Sequence, residues 1–240
     1  INAFTVGSTT KTYFRIDKNG NMDFPGKING NLTLSAGANR TISVAAPASG
    51  SGNSLTISAP NGSSNGNNGG SITINAGAGI ASINAALGNS TPRTDMTIIA
   101  DTINLTSPIT TTGNQTYTGE TNLSSLLTIG LGDITYNNEV NLNGSGAIDT
   151  SGGNGTITFN DVVNGPYHLT LRAGSEGDII FNAPVGATTR VGSLKIESTE
   201  NVTFAYGAYL TNYNQNRITG LASFGTAPGL NATDSIRVAT

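Results

Sequence analysis

The chain has no cysteine and no tryptophan, and only 10% of its 240 residues are charged. Without cysteine there is no disulfide framework, no thiolate nucleophile and no Cys-based metal site. The shortage of charge is more informative. No Asp, Glu, Lys or Arg occurs between Arg40 and Arg93, and helices that long would need Lys and Glu to cover their solvent face. Helix is therefore disfavoured. Apolar runs of about 18 residues are also absent, so no segment qualifies as a membrane-spanning helix. Net charge is -3 with Lys and Arg scattered, which leaves no basic footprint for nucleic acid or anionic lipid. The first residue is Ile1 rather than an initiator Met, and the chain is expected to be a processed product or an internal piece.

What the chain does contain is a returning tripeptide of apolar, Thr, apolar. It occurs as Leu32-Thr33-Leu34, Leu55-Thr56-Ile57, Ile72-Thr73-Ile74, Met96-Thr97-Ile98, Ile134-Thr135-Tyr136, Ile157-Thr158-Phe159, Leu169-Thr170-Leu171 and Val202-Thr203-Phe204. Alternation with period two places the flanking apolar pair on one side of a strand and Thr on the other. Clusters of Gly, Asn and Ser between these tripeptides supply turn chemistry.

The spacing becomes regular in the second half, where Ile134, Ile157, Ile179 and Val202 follow one another at a nearly constant interval. Their partners Tyr136, Phe159, Phe181 and Phe204 keep the same steps. A period in the low twenties marks a solenoid rather than a sandwich, because alternate strands of an antiparallel sandwich reverse direction and lose such a phase. The predicted fold is all-β, a right-handed parallel β-helix with about 22–23 residues per coil, on the order of ten coils and roughly 50 Å long at ~4.8 Å per coil. Tyr136, Phe159, Phe181 and Phe204 are expected to form an aromatic stack. Thr33, Thr56, Thr73, Thr97, Thr135, Thr158 and Thr203 are expected to form an outward column.

The ends read differently. Residues 1–30 carry Lys11, Arg15, Asp17, Lys18, Asp23 and Lys27, with Asn19-Gly20 suited to a type I′ hairpin turn between Phe14 and Phe24. They are expected to form a hairpin cap or docking segment, residues 31–204 the β-helix repeats, and residues 205–240 a second cap or the start of another module.

The run Gln115-Thr116-Tyr117-Thr118-Gly119, Gly132-Asp133-Ile134-Thr135-Tyr136, Gly155-Thr156-Ile157-Thr158-Phe159-Asn160, Leu169-Thr170-Leu171-Arg172-Ala173-Gly174 and Gly177-Asp178-Ile179-Ile180-Phe181-Asn182-Ala183-Pro184-Val185-Gly186 resembles the repeat region of filamentous-haemagglutinin-like exoproteins. The resemblance covers roughly residues 113–204. It implies a right-handed parallel β-helix, secretion through an outer-membrane pore by a two-partner system, and adhesion to host or neighbouring cells. The Asn-Pro-containing secretion motif of that family is lacking, which implies an internal or carboxy-terminal piece. A second resemblance, carried by Phe14-Arg15-Ile16-Asp17-Lys18-Asn19-Gly20-Asn21 and Gly26-Lys27-Ile28-Asn29-Gly30, is to phage tail fibres and implies a trimer.

Candidate chemistry is sparse. His168 is the single histidine, too few for a His-rich metal cluster, and is read as a surface or turn imidazole. Asp17, Asn19, Asn21 and Asp23 have the alternate spacing of a calcium loop, but Gly20 falls at the fourth position and no Glu follows at the twelfth. Glu176 and Asp178 beside Arg172 could serve a carbohydrate-active β-helix if the fold brought carboxylates together. A Thr column one residue wide invites an ice-binding reading, although strand propensity alone accounts for it. The expectation is a non-enzymatic, extracellular structural and adhesive module without cofactor or metal, and without membrane insertion. Its partners would be a cell surface or further copies stacked through open β-helix ends; the alternatives are a trimeric fibre segment and a carbohydrate-active β-helix.

Overall fold

The computed structural model describes residues 71–84, 86–88, 92–124 and 127–211, together with the backbone of strands 4–7, 12–16, 22–23, 40–43, 55–57, 63–64, 217–219, 221–224 and 238–239. Among these residues every regular element is a β-strand. The chain divides into two units, Ile1–Leu34 and Ser35–Thr240.

In the first unit Phe4–Gly7, Thr12–Ile16 and Met22–Asp23 form an antiparallel sheet. The register of this pairing differs from the one expected of an Asn19-Gly20 turn. Ile16 pairs with Met22 and Arg15 with Asp23, so the connection spans residues 17–21. A two-residue Asn19-Gly20 turn would instead pair Ile16 with Asp23. Of the four residues weighed for calcium-loop spacing, Asp17, Asn19 and Asn21 lie outside the described residues.

The second unit is a parallel β-solenoid of about six turns. Its first face stacks Arg40–Ser43, Ile72–Asn75, the first half of Met96–Leu105, the first half of Gln115–Leu123, Ile134–Tyr136, Ile157–Phe159, Ile179–Phe181, Asn201–Phe204 and Leu221–Phe224, all parallel. The second face stacks Leu55–Ile57, Ile80–Ile83, the second halves of the two long strands, Val140–Leu142 and Val163–Asn164. The third stacks Thr110–Thr111, Leu127–Gly130, Gly146–Asp149, His168–Arg172, Ser193–Ser198, Arg217–Thr219 and Val238–Ala239. The strands at 217–219, 221–224 and 238–239 thus keep parallel register beyond residue 204, where the sequence pattern fades.

Along the first face the row Ile72, Met96, Gln115, Ile134, Ile157, Ile179, Val202 advances by 24, 19, 19, 23, 22 and 23 positions, and hydrogen bonds beside the row span the same separations. The length varies because the corners differ, while the strands that pair stay in phase. One corner illustrates this. Between the first and second faces one coil uses the two residues Ala100 and Asp101, and the next uses only Gly119. Gly119 has φ 143, and a Cβ there would collide with the Ala100 carbonyl oxygen, so the shorter corner requires glycine.

Inward positions close a continuous core. Ile72, Ile74, Met96, Ile98, Ile134, Ile157, Ile179 and Val202 are buried beneath the first face, Ile103, Leu105, Val140 and Leu142 beneath the second, and Ile148, Leu171 and Ile196 beneath the third. Parallel register places like side chains above one another, so each apolar row is shielded by the next coil and dispersion contacts repeat along the axis.

Candidate functional surface

A site in this fold must lie in the interior, at a corner or on an outward face. The interior is filled. Tyr117, Tyr136, Phe159, Phe181 and Phe204 stack with centroid spacings of 4.8, 5.2, 5.0 and 4.7 Å and interplanar angles of 10° or less. The four rings named from the sequence are therefore neighbours in one column, and Tyr117 heads it. Tyr117 escapes a search for the period of the later coils because the interval from Tyr117 to Tyr136 is shorter than those that follow. A cavity lined by Leu123, Thr128, Leu142, Gly144, Gly146, Ala147, Ile148 and Leu169 has a volume of about 10 Å³. Small-molecule pockets are about 300–1,000 Å³, so this one has room for a single water at most.

Where the aromatic column begins, the core is polar. The buried Gln115 donates from Nε2 to Thr111 Oγ1 at 3.0 Å and to the Ile129 carbonyl at 2.9 Å, and its Oε1 accepts the Tyr117 hydroxyl at 2.6 Å. Burial, reinforced by the neighbouring Tyr136, pushes the Tyr117 phenol far above its usual range. Burial likewise raises Tyr136, with the adjacent Thr128 hydroxyl pulling slightly the other way. That contact is short of hydrogen-bonding geometry, and the Tyr136 hydroxyl and Thr128 Oγ1 are both buried without a partner. These phenols are protonated, structural groups rather than acid–base catalysts.

The outward faces are ladders. Thr73, Thr97, Thr135, Thr158 and Thr203 occupy one half-buried row of the first face, joined by Thr116 and interrupted by Ile180. Their hydroxyls have no hydrogen-bond partner among the described residues. Thr56 departs from that column: it pairs with Ser82 on the second face, because the strand Leu55–Ile57 repeats the tripeptide on a different side of the coil. Thr33 lies outside the described residues.

Beside the Thr row runs an amide ladder absent from the sequence expectation. Asn137 Nδ2 donates to Thr118 Oγ1 at 3.0 Å, Asn160 to Asn137 Oδ1 at 3.0 Å, and Asn182 to Asn160 Oδ1 at 2.9 Å. On the second face Asn122 donates to Asn104 at 3.0 Å, Asn141 to Glu120 at 2.9 Å and the buried Asn164 to Glu139 at 2.8 Å. A third ladder runs through the residues that precede four successive strands of the first face. Asp95 Oδ1 accepts the Asn114 N–H, Asn114 Oδ1 the Asp133 N–H and Asp133 Oδ1 the Thr156 N–H, each at 2.8 Å. The sequence shows only scattered pieces of this, an Asp or Asn before some strands (Asp95, Asn114, Asp133) and an Asn after others (Asn137, Asn160, Asn182). They read as generic turn chemistry until the coils are stacked.

The remaining candidates are dispersed. Arg172 joins Asp149 at 3.6 Å and Glu197 on the third face, and Lys195 reaches Glu197 at 2.5 Å. Hydrogen bonds from Lys195 and Arg172 hold the Glu197 carboxyl below its usual range, Lys195 contributing most and residual burial opposing. Asp178 accepts the Asn201 backbone N–H at 3.1 Å and its Nδ2 at 3.0 Å, and Glu176 accepts Asn154 Nδ2 at 3.4 Å. Arg172, Glu176 and Asp178 therefore serve separate contacts between coils and form no acid–base pair. His168 Nδ1 lies 2.7 Å from Ser193 Oγ. Ser193 is buried at 4% exposure and no carboxylate hydrogen-bonds the imidazole among the described residues, so the geometry is that of a contact between coils rather than a nucleophilic triad. Among the described residues no group of three or more His, Asp or Glu could hold a metal ion.

These features define the class: a parallel β-solenoid whose polar groups are organised along its axis. Comparison with known proteins gives no match to a family model, a curated protein or a solved structure.

Proposed function

We propose that the chain is an extracellular structural and adhesive solenoid module of a filamentous-haemagglutinin-like surface protein, acting without turnover. The observation that carries the reading is the distribution of the outward polar groups. Among the described residues, Thr hydroxyls without a hydrogen-bond partner recur along an uncharged row broken only at Ile180, while the amides and carboxylates beside them bind one another along the axis. Such a surface suits many weak contacts with the surface of a host or neighbouring cell, because affinity then grows with the number of coils engaged. Growth into filaments is the second part of the proposal: a strand edge at the end of a coil stack would take up a further copy by backbone pairing.

The test is adhesion of cells to the immobilised chain, with Thr135→Lys, Thr158→Lys and Thr203→Lys made singly and together. Each single change is expected to weaken adhesion by no more than about threefold and the triple change by about tenfold or more, as in multivalent contact. Loss of all adhesion from one substitution, or insensitivity of adhesion to the triple change, overturns the distributed surface. Electron microscopy of the full chain at rising concentration tests filament growth: end-to-end rods are expected, and separate particles at every concentration refute it.

A further inference from the structure

The solenoid places three Asn-Gly pairs, Asn143-Gly144, Asn154-Gly155 and Asn164-Gly165, at described corners. This dipeptide carries its own chemistry. The glycine amide nitrogen attacks the Asn side-chain carbonyl carbon, the new N–Cγ bond closes a succinimide, and the Cγ–Nδ2 bond breaks with release of ammonia. Solvent water then opens the ring at either carbonyl, giving aspartate or isoaspartate. The reaction needs a free glycine N–H, a side-chain amide able to swing toward it and a backbone able to give. Glycine favours it because no Cβ obstructs the approach.

The three corners differ on each requirement. Asn164 is 2% exposed; its Nδ2 donates to Glu139 Oε1 at 2.8 Å, its Oδ1 accepts the N–H groups of Thr188 and Thr189 at 3.1 and 3.2 Å, and Gly165 N–H is bound to the Thr189 carbonyl at 3.1 Å. Asn154 is half-buried in a left-handed conformation with φ 56, its Oδ1 accepts the Ser175 N–H at 3.2 Å, and Gly155 N–H is bound to the Thr150 carbonyl at 3.3 Å. Asn143 is exposed, and its side chain is held by one long hydrogen bond, Nδ2 to Asn122 Oδ1 at 3.3 Å. Among the described residues the Gly144 N–H has no acceptor. Gly144 also lines the 10 Å³ cavity.

We propose that Asn143 is a site of spontaneous deamidation in the folded protein. Conversion removes the Nδ2 donor to Asn122 and sets a carboxylate against that amide oxygen, so an inter-coil rung of the second face is lost. The isoaspartate product also inserts a main-chain methylene beside an N–H that is bound to the Leu123 carbonyl at 2.7 Å. The modification thus accumulates with time at one corner of the solenoid.

The test is incubation of the full chain in mildly alkaline buffer, with time-resolved peptide mass spectrometry after cleavage at acidic residues. Asn143 is expected to convert at least about tenfold faster than Asn164, and faster than Asn154, since the latter two require local opening first. In denaturant the three rates are expected to converge to within about threefold, because the protecting hydrogen bonds are gone. Asn143→Gln should abolish the signal at this peptide and leave the other two rates unchanged. Equal rates in the folded chain, or Asn154 or Asn164 converting first, overturn the assignment.

Discussion

The coils from Ile134 to Phe204 and those from Ile72 to Tyr117 share an outward Thr row but fill their interiors differently. The later coils advance by a nearly constant step and stack aromatic rings. The earlier ones take one long step and one short one, and place Ile74 and Ile98 in the same column, with the Gln115 network at the junction. The difference teaches that this solenoid holds its strand register constant and lets corners and core composition vary. A neighbour-by-neighbour stack permits this, since each coil must fit only the two beside it.

The comparison is broken most severely at Phe181, which is fully buried between rings at 5.0 and 4.7 Å. Phe181→Ala is expected to cost about 3–5 kcal/mol, against about 0.5–1.5 kcal/mol for Ile98→Val in the aliphatic part of the column. Denaturant unfolding with hydrogen exchange on individual coils reads both. Equal losses would show that the rings add nothing beyond ordinary core packing.

A smaller effect separates the two tyrosines. Tyr117→Phe strips a buried Gln115 Oε1 of its donor and should cost about 1–3 kcal/mol, whereas Tyr136→Phe removes a hydroxyl that has no partner and should be neutral or stabilising. Thermal unfolding of the pair checks the polar junction, and a reversed order would locate the buried hydrogen bond elsewhere.

The smallest effect lies on the third face. Glu197→Gln disconnects Lys195 and Arg172 and should cost under about 1 kcal/mol, less in high salt, because the pairs are partly exposed. The Glu197 carboxyl is held low in the folded chain, so its contribution is present above the ordinary Glu value of about 4.3. That contribution is lost as pH falls through the lower folded value. The stability gap between wild type and Glu197→Gln should accordingly close on acidification; a gap that widens there contradicts the ion pairing.

Much of this was legible in the residues. Alternation around Thr is a local property, and a strand that must bury one side and wet the other shows it whatever its neighbours. The steps from Ile134 to Val202 revealed the coil because consecutive turns there have nearly equal length. Tyr117 was missed where two coils shortened, and Thr56 was misplaced because the same tripeptide serves two faces. The amide and carboxylate ladders were illegible for a different reason: their partners lie 18 to 25 positions away, a distance at which composition carries no signal.

The sequence by itself determined strand chemistry, the absence of cysteine-based sites and the inward apolar pairs of the later coils, since each depends on side-chain type and local period. Only the tertiary structure decided which corner each coil shortens, which Asn is held by several hydrogen bonds and which by one, and where the hydroxyls are left without a partner. Those properties arise from stacking one coil on another, where a hydrogen bond gained or withheld depends on the neighbour above and below.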